Sequence, residues 1–293
     1  MLPAELMKQI RLLEIRTNRI VDEITGGAYR SVFKGRGIEF DEVREYTIDD
    51  DVRDIDWNVS ARMNAPYVKK YIEERELNVL LMLDLSASGN FGSGDKSKRR
   101  TAAELAALLA FSAAGNGDKV SLLLFTDRTE LYVPPRKGRK HTLRMIRDML
   151  AFEPKGKGTD IGLALREAKD LLAKRSVIFL LSDFVAGGDF ESALKTVNRK
   201  HDLIAVRVRD EAELAWPLPL GVEVEDAETG ETVSFGGTAG ERAAYGRAAQ
   251  SELDERAKVC ARAQVDLIDL HCGEDPLKPL VNFFNRRRRR IRR

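Results

Sequence analysis

The stretch LNVLLMLDLSASGNFGSGDK, residues 77–96, decides how the chain is read. Its first half is apolar at consecutive positions, which marks a strand buried on both faces. Asp84 interrupts the run, and Ser86 and Ser88 follow at alternate positions. Residues two apart on an extended chain share a side, so one carboxylate and two hydroxyls can converge where the strand ends. Gly89, Gly92 and Gly94 then let the backbone turn without steric cost.

Outward from this stretch the same rhythm repeats. Strands are expected at 77–85, 118–125, 176–184, 201–210 and 264–272, and helices at 98–115, 139–151, 160–174, 189–200 and 240–263. TELYVP, 129–134, reads as a short edge strand stopped by Pro134 and Pro135. Strands apolar on both faces, alternating with helices, predict an α/β domain: a doubly wound, mostly parallel sheet with helices on both faces. VEVEDAETGETVSF, 222–235, alternates around Thr229-Gly230 and reads as an inserted β-hairpin. Residues 1–76 break the rhythm. An N-terminal helix is expected over 1–25, from the spacing of Leu6, Ile10, Leu13 and Ile20, and an irregular, strand-containing preamble over 26–76. The expected units are therefore 1–76, an α/β domain over 77–275, and a basic tail over 276–293.

The chain has 293 residues, 43% hydrophobic and 33% charged, enough apolar content for a core and enough charge for solubility. No apolar run approaches the ~20 residues that span a bilayer. The amphipathic start is no signal peptide, so a cytoplasmic protein without a membrane span is expected. Cys260 and Cys272 are too few for a disulfide framework or a thiolate metal cage. The net charge of +2 conceals two lopsided regions. Residues 39–56 hold nine acids against two arginines, and the last eight residues, RRRRRIRR, hold seven arginines. Such a tail suits either a solvated segment or one docked on the acidic preamble. Nucleic-acid binding is not expected, because charge without an aromatic platform gives only non-specific contact. The preamble's aromatics, Phe40, Tyr46 and Trp57, are expected to pack it onto the sheet domain.

In a doubly wound sheet, ligands sit at the carboxyl ends of the strands near the switch in strand order. Three loops bring oxygens to that edge: Asp84, Ser86 and Ser88 after one strand, Thr159 and Asp160 before the 160–174 helix, and Asp183 after SVIFLLSDF. A carboxylate with hydroxyls is a hard donor set that suits Mg²⁺. Thr159 or Asp160 fits a helix N-cap equally well. Ser86, Asp183 and His271 follow the order of a hydrolase triad, but no G-x-S-x-G elbow surrounds either serine. A phosphatase of the haloacid-dehalogenase kind needs a second carboxylate two residues after Asp84, where this chain has Ser86. GSGDKSK, 92–98, lacks the spacing of a Walker phosphate loop, so no ATPase activity is expected.

D-x-S-x-S, then Thr, then Asp on alternating strands and helices resembles a von Willebrand factor A domain. The stretch GRGIEFDEVREYTIDDDVRDIDWNVSARM, 35–63, resembles the preamble of the prokaryotic DUF family fifty-eight. The resemblance covers about 26 to 275. It implies a metal-ion-dependent adhesion site with Asp84, Ser86 and Ser88 as first-loop ligands, Thr159 as the second-loop ligand and Asp183 as the third. It implies Mg²⁺, or Mn²⁺ or Ca²⁺, with one metal position left for an acidic residue of a partner protein. It further implies association with a MoxR-type AAA+ ATPase in chaperone-like maturation or stress response. The expected role is a metal-dependent protein-interaction module with no catalytic residues. The rival expectation is a metal-assisted hydrolase using the same oxygens, although no His or Glu lies in the three loops.

Overall fold

The computed structural model of the chain describes residues 11–12, 39–48, 50–63, 65–72, 76–185, 188–214 and 221–291. The helix expected over 1–25 lies outside them, except for Arg11 and Leu12, which are helical.

Six strands form the central sheet: β3 (Asn78–Asp84), β4 (Lys119–Phe125), β5 (Thr129–Arg136), β6 (Val177–Ser182), β7 (Asp202–Arg209) and β10 (Asp266–His271). Their order is β10-β7-β6-β3-β4-β5. Every neighbouring pair is parallel except β4 with β5. The chain winds outward from β3 to β5, returns to β6 on the other side of β3, and winds outward again. This is the Rossmann-like order expected of a von Willebrand A-like domain, and it puts the switch point between β3 and β6.

Burial on both faces follows from the apolar runs. On β3, Val79, Leu81 and Leu83 join one core, while Leu80 and Met82 join the other. On β6, Phe179 and Leu181 face the first core and Ile178 and Leu180 the second. The first core is closed by α2 (Lys98–Gly115), α3 (Arg139–Ala151) and α7 (Leu277–Ile291). The second is closed by α4 (Ile161–Leu171), α5 (Glu191–Lys200) and α6 (Ala239–Arg262). Helix α2 is buried nearly all round, because it lies between the sheet and α3, and its alanines permit that close approach. Its N-cap is Ser97, whose hydroxyl accepts from the Arg100 N–H at 3.3 Å.

Three expectations need correction. Strand β5 does not stop at Pro134 and Pro135 but runs to Arg136, an extension an edge strand tolerates because one side of its backbone has no partner. The described part of the expected tail, up to Ile291, is docked: Leu280, Phe283 and Phe284 of α7 are buried in the first core. Two of the described tail arginines pair with acids of the sheet. Arg287 donates to Asp202 at 2.6 Å and Arg290 to Asp266 at 2.9 Å, at the far edge of the sheet. In the preamble, an antiparallel pair forms between β1 (Glu39–Glu45) and β2 (Tyr67–Ile72), with α1 (Trp57–Met63) between them in sequence. Contrary to expectation, Trp57 is 68% exposed, so its side chain does not anchor the preamble to the sheet. The hairpin is found as expected, with β8 (Val222–Glu225) paired antiparallel to β9 (Thr232–Phe235). No helix among the described residues is long and apolar enough to cross a membrane.

Candidate metal centre

Strand pairing brings the ends of β3 and β6 side by side, with Leu83 opposite Leu181. Asp84 therefore lies against the Ser182 hydroxyl, which donates to its Oδ2 at 2.6 Å. Its Oδ1 accepts from the Ser86 N–H at 2.9 Å, which folds the chain back over the carboxylate. The Ser86 and Ser88 hydroxyls stand 3.1 Å apart. Asp84, Ser86, Ser182 and Asp183 are all buried. The turn after β6 is strained: Phe184 holds a left-handed backbone with φ +59°, rare for an aromatic residue. Two bonds keep it there. The Phe184 N–H donates to Ser182 Oγ at 2.9 Å, and the Val185 N–H donates to Asp183 Oδ1 at 2.9 Å. The Phe184 ring is anchored in the second core beside Phe190.

One residue in the centre was not expected. Lys98, at the first position of α2, is 3% exposed and donates to Asp183 Oδ2 at 2.6 Å and to Glu213 Oε1 at 2.5 Å. A cation at a helix N-terminus is unfavourable, and a buried one more so, unless carboxylates face it. Burial works to lower the Lys98 pKa, but the charges of Asp183 and Glu213 outweigh it and the net shift is upward. The Asp84 pKa also moves upward, which for a carboxylate favours the neutral form. Burial, then the charge of nearby Asp183, raise its pKa to about 7 against the bonds from Ser182 and Ser86. Asp183 and Glu213 thus share one ammonium between them. Arg99 lines the same crevice but turns its guanidinium to the Phe152 carbonyl.

The second loop reaches the first through its backbone: the Ala87 N–H donates to the Lys157 carbonyl at 2.9 Å. Thr159 follows, but its hydroxyl donates to Glu228 Oε1, at the hairpin tip, at 2.8 Å. Asp160 is the N-cap of α4, accepting from the Leu163 N–H at 2.7 Å, which accounts for this carboxylate without a metal. The structure therefore gathers Asp84, Ser86, Ser88 and Asp183 closely and holds Thr159 on the adjoining loop, bonded elsewhere. On the β7 side, Ser93 donates to Asp210 through both its hydroxyl, at 2.5 Å, and its N–H, at 3.0 Å. The first loop is thus fastened on both flanks.

The crevice between Asp84, Ser86, Lys98 and Asp183 measures about 10 Å³, room for one water or small ion. No cluster of three or more His, Cys, Asp or Glu poised to hold a metal occurs among the described residues. Carboxylates alone therefore make no cage, and hydroxyls must complete any coordination. An all-oxygen set with surplus negative charge and room for one ion fits a small hard dication. His271 is directed elsewhere: Arg209 donates to its Nε2 at 2.7 Å, so the order Ser86, Asp183, His271 assembles no triad.

The family model described as "Protein of unknown function DUF58" matches residues 42–255, well over half of the chain. The chain belongs to the DUF58 family. This DUF58 protein is 30% identical over 287 residues to the uncharacterized protein Rv1480 of Mycobacterium tuberculosis (strain ATCC 25618 / H37Rv), spanning 97% of this chain and 90% of the relative. Among solved structures it is similar to the conserved hypothetical protein BatB from Bacteroides thetaiotaomicron, at 13% identity and a TM-score of 0.48, over 72% of this chain and 98% of that one. It is also similar to proximal thread matrix protein 1 from the mussel byssus, in the form with a zinc-occupied MIDAS motif. There the identity is 15% and the TM-score 0.36, over 46% of this chain and 38% of that one.

Proposed function

We propose that this DUF58 protein is a metal-dependent interaction module. Asp84, Ser86 and Ser88 would hold a divalent cation, with Thr159 and Asp183 completing the set. The cation, when bound, supplies a Lewis-acidic position for a carboxylate of a partner protein. The chain's own residues do the rest. The Ser182 hydroxyl and the Ser86 N–H fix the Asp84 carboxylate. Lys98 balances Asp183, and the strained Phe184 sets the third loop. The observation that supports this most is the pairing of two buried, adjacent carboxylates, Asp84 and Asp183, with a serine pair at the sheet's switch point. The all-oxygen chemistry favours Mg²⁺ or Mn²⁺, and the resemblance nominates a MoxR-type AAA+ ATPase as the partner to try first.

The test is calorimetric titration of the full chain with Mg²⁺ and Mn²⁺, beside Asp84→Ala, followed by capture of the ATPase with and without EDTA. Saturable binding lost in Asp84→Ala, with capture lost in EDTA, supports the module. Equal heats in both proteins would sink the metal site, and capture indifferent to EDTA would sink the metal bridge.

A further inference from the structure

The hairpin over 222–235 carries five acids, Glu223, Glu225, Asp226, Glu228 and Glu231, and no lysine or arginine. Its tip is built to hold one side chain still. Asp226 Oδ1 accepts from the Glu228 N–H at 2.9 Å and the Thr229 N–H at 2.8 Å, and the Gly230 N–H closes the turn on the Asp226 carbonyl at 2.8 Å. Gly230 takes φ +75°, which a residue with a Cβ would resist. The neighbouring tip residues are exposed, whereas Glu228 is half-buried. Its Oε1 accepts from the Thr159 hydroxyl, and its Oε2 lies 3.9 Å from where a Cβ on Gly158 would stand. The bond from Thr159 ties the hairpin tip to the second loop. The loop it touches, PKGKGT over 154–159, supplies Lys155 and Lys157, so an acidic arm rests on a basic loop.

We infer that the hairpin is an internal acidic occupant of the interaction face: Glu228 stands beside Thr159 where a partner's carboxylate is received, and a partner engages after the tip has moved aside. This rests on the metal-bridged reading above. The hydroxyl of Thr159 has a single proton, and Glu228 takes it. An incoming Asp or Glu meets a like charge already in place, on an arm whose tip is held by the Thr159 bond. The same geometry describes the ligand class: an acid displayed at a tight turn between two strands.

The experiment uses the full chain as wild type, Glu228→Gln, Thr159→Val and Asp84→Ala. Amide hydrogen exchange over 222–235 is measured without metal. Binding of Mn²⁺ alone is then measured, and next binding of the capped tripeptide Gly-Glu-Gly to the Mn²⁺-loaded protein. The inference expects faster exchange across the hairpin in Thr159→Val, which removes the donor, whereas Glu228→Gln keeps an acceptor and removes the charge. It also expects at least tenfold tighter tripeptide binding in Glu228→Gln than in wild type. Unchanged exchange in Thr159→Val overturns it, as does unchanged or weaker tripeptide binding in Glu228→Gln when Mn²⁺ binds in an Asp84-dependent way. Mn²⁺ binding that is absent, or indifferent to Asp84→Ala, overturns the metal reading instead. The exchange readout needs no metal, so the two failures are told apart.

Discussion

Lys98 and Asp183 form an ion pair of 2.6 Å with side chains only 3% and 5% exposed, joining the start of α2 to the end of β6 across the switch-point crevice. The pair puts a fixed positive charge beside the oxygens proposed for a mobile one. Breaking a buried pair from one side leaves an uncompensated charge, at a cost of about 3–5 kcal/mol. Lys98→Met should therefore lower stability in EDTA by that order, read from chemical denaturation. Millimolar Mg²⁺ should restore part of the loss, because a dication can take over the neutralisation of Asp183. A loss untouched by Mg²⁺ would show that the ammonium and the cation do not share the same carboxylate.

Asp84→Asn keeps the shape of the group and removes its like-charge conflict with Asp183. At Mg²⁺ one hundredfold above its dissociation constant, wild type should gain about 2.7 kcal/mol and the variant nothing. Equal gains measured by differential scanning calorimetry would remove Asp84 from the ligand set.

His201 is a second pH-sensitive point, remote from the centre. It is 1% exposed, its Nδ1 accepts from the Ser176 N–H at 3.3 Å, and its pKa is lowered to about 4 by burial and then by Lys200 and Arg175. Above pH 6.5 the imidazole is neutral in both folded and unfolded chains and contributes nothing to the pH dependence. Between 6.5 and about 4 the unfolded chain binds the proton and the folded one does not, so stability falls as pH falls. The full loss is roughly 3 kcal/mol, complete below pH 4. His201→Asn should flatten this part of the profile, as measured by urea unfolding at stepped pH. An unaltered slope would assign acid lability to other groups.

Gly156 is closely faced by Thr126 Oγ1 and Asp127 Oδ1, so an added Cβ has no room. Gly156→Ala should cost about 1–3 kcal/mol and weaken Mg²⁺ binding by shifting the loop that carries Thr159. Gly158→Ala meets only ordinary contacts, at 3.8 Å and beyond, and should do neither. Parallel loss of affinity in both variants would show that the loop responds to backbone stiffness rather than to this clash.

For α7, Phe284→Ala should cost about 3–5 kcal/mol, since the ring is fully buried in the first core. Arg286→Ala, on the exposed side, should change stability by less than about 0.5 kcal/mol. A small effect of Phe284→Ala in thermal unfolding would mean that the helix is not part of the cooperative unit.

Much of this fold could be read from residue order. The β3 and β6 runs are apolar at every position because both of their faces are covered, and helices 98–115 and 139–151 end where their spacing and terminal signals say. What could not be read depends on contacts distant in sequence. Lys98 sits in a Lys-Arg-Arg run that looks like a solvated helix start, and only folding sets it against Asp183, 85 positions later. Leu280, Phe283 and Phe284 stand at helical spacing, but the run of arginines after them has the composition of a solvated tail. Thr159 was found from its loop, whereas its bond to Glu228 depends on how the inserted hairpin lies. Trp57 shows the converse error, since an aromatic side chain in a structured segment need not enter a core.

The docking of α7 also sets a timetable for synthesis. Phe283 and Phe284 close one side of the sheet, yet they emerge from the ribosome after every strand has been made. Until they arrive, the nascent domain exposes an oily cleft beneath β7 and β10, and chaperones have their best opportunity to bind in that interval.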